Sequence, residues 1–260
     1  MTRVAWSPDI YLRFADDRAR PTRDLLAALP PGPRAQVVDL GCGPGNSTAL
    51  LAARYPEAQI LGIDPDGAML AAARAAVPQV RFQKGRAEDW LPATPPDMIF
   101  ANASLQWAED HDRLLPRLLG LLAPNGILAV QMPDNLDEPS HLAMREVAAL
   151  PEWRDSLSGA ARQRRALPDA KALHRLLRQG SSALQIWRTV YHVELPDVGA
   201  IIDWFSGSAL RPYLSVLDKD AQARFLDRYR SALSERYPPL AMGQVLLGFP
   251  RLFFVAVRKG

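Results

Sequence analysis

The passage from residue 36 to residue 47 constrains the chain more than any other. Gln36-Val37-Val38-Asp39-Leu40 is short, apolar and β-branched, and it breaks directly into Gly41-Cys42-Gly43-Pro44-Gly45-Asn46-Ser47. A helical stretch over 48–55 follows. A strand, a glycine-rich turn and a helix in this order form the first unit of a parallel sheet, because a parallel neighbour is reached only through a crossover. The alternation recurs: a strand at Gln59–Asp64, a helix over 66–76, strands over 80–82 and 98–101, a helix over 111–122 and a strand over 127–132. It predicts right-handed crossovers and a doubly wound α/β core.

On either side of this core the pattern loosens. An amphipathic helical segment over 7–29 is stopped by Pro30-Pro31-Gly32-Pro33. After 132, helical segments are expected over 141–179, a strand over 184–195, helices over 198–237 and a last strand over 251–257. The predicted organisation is an N-terminal helical segment (1–32) over the active site and a ligand-binding core (33–132). The rest (133–260) holds the last strands with helical cap insertions that form the acceptor site.

A glycine-rich turn lets a ligand approach the backbone and places it at a helix N-terminus. That much is common to many nucleotide sites, and the dinucleotide register fails here because Asn46 stands where a third glycine belongs. Asp39 discriminates. A carboxylate two residues ahead of Gly41 would repel a pyrophosphate but suits a ligand with an ammonium and a sulfonium. Asp64 ends the second strand, nineteen residues after Gly45, where it can accept both hydroxyls of a ribose. A ribose, a cationic amino-acid part and no phosphate describe S-adenosylmethionine. Cys42 is expected to be a small packing residue beside the loop.

With these residues the chain resembles the class I S-adenosylmethionine-dependent methyltransferases. The resemblance runs through Val37-Val38-Asp39-Leu40-Gly41-Cys42-Gly43-Pro44-Gly45, Gly62-Ile63-Asp64 and Leu122-Ala123-Pro124-Asn125-Gly126, over roughly residues 34 to 132. It implies a seven-stranded, mainly parallel sheet in the order 3-2-1-4-5-7-6, with strand seven antiparallel. It also implies cofactor contacts at Asp39, Gly41, Cys42, Gly43, Asn46, Asp64, Pro65, Arg86, Ala87, Glu88 and Asn102. The family's Gly-Asp-Ala adenine contact is Gly85-Arg86-Ala87 here, so Glu88 or the backbone must cap the adenine amine.

Methyl transfer from a sulfonium is a direct displacement, so the protein's work is alignment and exclusion of water. An amine or alcohol acceptor needs a base, whereas a carboxylate is already ionised at neutral pH. No compelling His–carboxylate pair stands out, which tilts the reading towards an acid acceptor, and Arg suits bidentate carboxylate binding. Candidates to position it are Tyr11, Arg20, Trp107, His141, Arg211, Tyr213 and Arg251, with Arg18 and Trp204 close behind. His111 is expected to cap a helix and His174 to lie on a surface helix. The segments 11–21, 102–107, 131–135, 210–213 and 249–253 together look like the trans-aconitate 2-methyltransferase family. That likeness implies methyl esterification of trans-aconitate with release of S-adenosylhomocysteine. Another small-molecule methyltransferase, or a non-catalytic S-adenosylmethionine-binding protein, remains as an alternative.

Composition sets the remaining bounds. The 31 Lys+Arg are nearly matched by 28 Asp+Glu and scattered, so no nucleic-acid stripe is expected, and the run Arg162-Gln163-Arg164-Arg165 reads as a solvated helix face. One cysteine cannot form an internal disulfide, and no Cys/His set has zinc spacing, so no metal is expected. Without an apolar run of membrane length or a leader pattern, the expected location is the cytoplasm, with no obligate protein partner.

Overall fold

The computed structural model describes residues 15–161 and 164–260. Its sheet has seven strands in the order β3-β2-β1-β4-β5-β7-β6. They are β1 (Gln36–Leu40), β2 (Gln59–Asp64), β3 (Arg81–Lys84), β4 (Met98–Asn102), β5 (Ile127–Pro133), β6 (Ser181–Leu195) and β7 (Val245–Arg258). β1 pairs in parallel with β2 and β4, β2 with β3 and β4 with β5, while β7 runs antiparallel to β5. This is the predicted seven-stranded, mainly parallel architecture. β4 and β5 are buried along nearly their whole length, as expected of strands covered on both faces, whereas the edge strand β3 is mostly exposed.

The helices, in chain order among the described residues, are α1 (Ala15–Ala27), α2 (Asn46–Arg54), α3 (Gly67–Ala76), α4 (His111–Leu121), α5 (Pro139–Ala148), α6 (Arg154–Ala161), α7 (Ala170–Leu177), α8 (Val198–Ser206), α9 (Arg211–Leu214) and α10 (Lys219–Arg236). Carboxylates start several of them. Asp66, Asp110, Asp169, Asp197 and Asp218 each accept a backbone N–H of the first turn, which satisfies one donor that a helix start leaves open. At α4 the cap is Asp110, so His111 does not take the expected capping role. It is buried instead, with Nε2 2.9 Å from the Leu105 carbonyl.

By contact density the chain divides into two interleaved units. The sheet unit comprises Ala19–Pro133, Leu167–Thr189 and Arg251–Gly260. Its core is a continuous cluster that includes Leu40, Ile63, Ile99, Leu115, Leu118, Val130, Leu173 and Phe254. The helical unit comprises Asp134–Ala166, Val190–Pro250 and the described part of Met1–Arg18. There α10 lies along α5 and α8, and Trp204, Phe205, Phe225 and Tyr229 are fully buried. Arg18 donates to the Trp204 carbonyl at 2.7 Å and lies over its indole ring, so both serve this core.

The last strand departs from expectation. β7 begins at Val245, six residues before the predicted start at 251. Gly248 and Pro250 look like strand breakers in isolation, yet the strand runs through both, and the Pro250 carbonyl accepts the Asp134 N–H at 3.0 Å. Phe253 stacks on Trp187 of β6, with ring centroids 4.9 Å apart.

Candidate active site

The floor of the site is the turn from β1 into α2. The Gly41 and Cys42 N–H groups both donate to the Ile63 carbonyl, at 2.7 and 2.9 Å, which ties the turn to the end of β2. Gly41 has φ +78°, and a Cβ there would lie 2.2 Å from Cβ of Ser104. Ser104 is brought in by Ala103, itself left-handed at φ +51°, and its Oγ donates to the Leu40 carbonyl at 2.7 Å. Gly45 has φ +97° and backs onto Ala73 of α3. Gly43 differs, because a Cβ there would meet nothing within 4 Å. Of the loop glycines it is the one that opens onto space. Cys42 is buried beside Gly62, and burial pushes its thiol up, which leaves a packing residue and no nucleophile.

Two carboxylates flank this turn. Asp64 accepts the Gly43 N–H on Oδ2 and the Asp66 N–H on Oδ1, each at 2.9 Å. Those bonds fix its orientation, and each oxygen keeps a second lone pair. Asp39 is completely buried. Its Oδ2 accepts the hydroxyls of Ser47 at 2.8 Å and Thr48 at 2.6 Å, while its buried Oδ1 has no partner among the described residues. Burial raises its carboxyl to about 6, the two hydroxyls oppose the rise, and the charge of Asp64 adds to it. A buried acceptor with an unused lone pair is costly in isolation and fits a cationic donor such as an ammonium group.

The C-terminal ends of β4 and β5 carry a second polar group. Asn102 and Gln131 are paired in register, and Asn102 Oδ1 and Gln131 Nε2 are buried without a partner among the described residues. Gln131 Oε1 accepts Arg251 Nη1 at 3.4 Å, and Arg251, opposite Pro133 in register, is itself buried. This is the sheet edge at which doubly wound folds bind ligands. Trp107 stands on the short 3₁₀ turn Leu105–Trp107 after β4 and is 44% exposed, unlike the core tryptophans. Asn46 opens α2, Pro65 is exposed just after Asp64, and Ala87 is partly buried between Arg86 and Glu88. Arg86 and Glu88 lie 3.5 Å apart as an exposed ion pair. Arg20 is exposed on α1, and Tyr11 lies outside the described residues.

In the helical unit, His141 and Tyr213 are buried and Arg211 is exposed at the start of α9. His174 and His192 are exposed.

The model of a family described as a methyltransferase domain matches residues 37–126. A trans-aconitate 2-methyltransferase of Methylobacterium nodulans is 52% identical over 253 residues, which covers 97% of this chain and 98% of that protein. One of Methylobacterium radiotolerans is 49% identical, with 96% and 97% covered. The chain belongs to the trans-aconitate 2-methyltransferase family. Solved structures agree on the fold of this methyltransferase. The YcgJ protein of Bacillus subtilis superposes with a TM-score of 0.61 at 12% identity, over 93% of this chain and 99% of that one. A Haemonchus contortus phosphoethanolamine N-methyltransferase 2 in complex with S-adenosylmethionine gives 0.57 at 18% identity, over 93% of this chain and 53% of that one.

Some of the polar residues in each unit carry a signal that sequence reasoning passed over. Gln131 is a lone polar residue inside the apolar run of β5, which is reason enough to ask what it bonds. Ser104 has no such mark, because its part depends on the left-handed turn at Ala103. Arg164 was hidden in a basic run expected on a solvated face, yet its Nη1 donates to the buried Asn135 Oδ1 at 3.0 Å.

Proposed function

We propose that this methyltransferase esterifies one carboxylate of trans-aconitate, or of a closely related small polycarboxylic acid, and releases S-adenosylhomocysteine. The near full-length identity to trans-aconitate 2-methyltransferases is the observation that carries the acceptor. The buried, half-satisfied carboxylate of Asp39 and the open side of the turn at Gly43 support the cofactor. When bound, S-adenosylmethionine supplies a methyl carbon activated by its sulfonium, which a carboxylate oxygen takes up directly.

The chain's own residues divide the remaining work. Asp39 accepts the ammonium of the cofactor's amino-acid part, and Asp64 accepts its ribose hydroxyls. Gly41, Cys42, Gly43 and Asn46 shape the turn, and Pro65, Arg86, Ala87, Glu88 and Asn102 border the nucleoside. Arg20, Arg211 and Arg251, with Tyr11, Trp107, His141 and Tyr213, orient the acid. No base is required, because the acceptor oxygen is already anionic at neutral pH. A small anionic substrate handled in the cytoplasm fits a chain in which no described helix is long and apolar enough to cross a membrane.

Incubation with methyl-labelled S-adenosylmethionine and a panel of di- and tricarboxylates tests this reading. Label is expected in a monomethyl ester of trans-aconitate, with one S-adenosylhomocysteine per ester. A non-catalytic cofactor-binding protein would release none with any acid. Preference for an amine or alcohol would overturn the acceptor class.

A further inference from the structure

The helical unit gathers two arginines around the segment that leads from β5 into α5. Arg164 Nη1 donates to Asn135 Oδ1 at 3.0 Å. Arg145 Nη1 donates to the Leu136 carbonyl at 2.6 Å, and its Nη2 lies 4.0 Å from the exposed Asp137 carboxylate. Burial lowers the Arg164 guanidinium to about 10, with the Asp134 carboxylate opposing that fall and the charge of Arg145 adding to it. At about 10 the Arg164 guanidinium is still protonated at neutral pH.

His141, in the first turn of α5, feels the charge of both guanidiniums. Its ring is buried and meets Phe205 edge-on with centroids 4.8 Å apart. Nδ1 is 3.4 Å from Ser140 Oγ, and Nε2 has no hydrogen-bond partner among the described residues. Burial, then the charges of Arg164 and Arg145, drive its pKa down to about 3, so the imidazole is neutral throughout the physiological range. If the Ser140 hydroxyl donates to Nδ1, the ring hydrogen sits on Nε2, and that buried nitrogen can only donate. Tyr213 is buried in the same unit, where burial raises its phenol and the charge of Arg145 opposes the rise. A buried N–H donor in the field of two guanidiniums calls for an acceptor that is negative.

We propose that Arg145, Arg164, His141 and Tyr213 form a carboxylate subsite through which this methyltransferase selects acids by their number of carboxylates. The proposal rests on the polycarboxylate reading above and deepens it. Methyl transfer neutralises one carboxylate of a tricarboxylate, and the other two stay ionised through the reaction. A guanidinium pair with a neutral imidazole donor can hold one of those two without taking part in the displacement. The residues are therefore positioning residues, and their loss should appear in KM.

Steady-state kinetics of Arg145→Gln and Arg164→Gln, with trans-aconitate and with an unsaturated dicarboxylate one carboxylate short, tests the assignment. The expected result is a KM for trans-aconitate raised about tenfold or more, kcat within about threefold, and unchanged calorimetric affinity for S-adenosylhomocysteine. The preference for tri- over dicarboxylate should fall by the same factor, and the Lys variants should recover part of it. Both guanidiniums also hold the 134–137 segment, so the Lys variants, which keep the charge, carry the test if the Gln forms do not fold. An equal loss on both acids would show a segment clamp only and overturn the subsite. If the wild type methylates no polycarboxylate, the functional reading fails by itself. The subsite is then judged by calorimetry with citrate, where equal affinity of wild type and variants overturns it.

Discussion

Asp39 holds a carboxylate that water does not reach, and its chemistry follows from that. Its pKa rises from 3.8 to about 6 on folding, chiefly through burial. A carboxyl raised in the folded state favours folding while protonated. Its contribution is therefore complete below about pH 4, falls as pH rises through about 6, and is absent above. The rise corresponds to roughly 3 kcal/mol, a tension that an ammonium bound at Asp39, as proposed, would relieve. Cofactor binding there would then demand the ionised form. The Kd for S-adenosylhomocysteine should weaken about tenfold per pH unit below about 6 and level off above it. Asp39→Asn should bind more weakly with a flat pH dependence, yet resist urea better than wild type above pH 6. Titration calorimetry from pH 5 to 8 checks this, and an Asn variant that binds as tightly as wild type removes the ammonium contact.

The turn between β1 and α2 separates two uses of glycine that look identical in the sequence. Gly41→Ala would drive a Cβ to 2.2 Å from Ser104 in a left-handed backbone. It should cost at least ~2–3 kcal/mol of stability, and Ser104→Gly in the same chain should restore part. Gly43→Ala meets no atom within 4 Å, so only its left-handed φ of +54° weighs on stability, at about 1–2 kcal/mol. Its larger effect should fall on S-adenosylhomocysteine affinity, because the methyl group enters the open side of the turn. Chemical denaturation and calorimetry on the two variants should give this crossed pattern, and equal effects of both variants on both measurements would refute it. The elements themselves were legible where local signals agree. β1, β2 and β5 are apolar runs between turn residues, and the alternation of strand and helix implied their parallel pairing. The start of β7 was not legible, because Val245 to Pro250 contains two residues that break isolated strands. What overrides them is tertiary: the strand is held in the sheet, and the Pro250 carbonyl accepts the Asp134 N–H.

At the scale of the whole molecule, each unit is assembled from segments distant in sequence, and this limits what a linear reading finds. Asp39, Asp64 and the glycines lie within thirty residues of one another and announce themselves. Arg164 and Asn135 are twenty-nine residues apart, and no spacing rule joins a basic run to a loop after a strand. The same distribution of charge bears on how the rate depends on pH. The acceptor is ionised before it binds, and His141 stays neutral down to about pH 3 because burial and two guanidiniums oppose its charge. Neither titrates between pH 6 and 8. With cofactor saturating, kcat should therefore be flat over that range, and an acidic fall in kcat/KM for S-adenosylmethionine should follow Asp39 near 6. His141→Ala should raise KM for trans-aconitate through loss of a donor and leave the shape of the kcat profile unchanged. Profiles of kcat for wild type and variant decide the matter. An acidic limb near ~6.5, the ordinary histidine range, present in wild type and abolished by His141→Ala, would mean that His141 moves a proton and that the base-free mechanism is wrong.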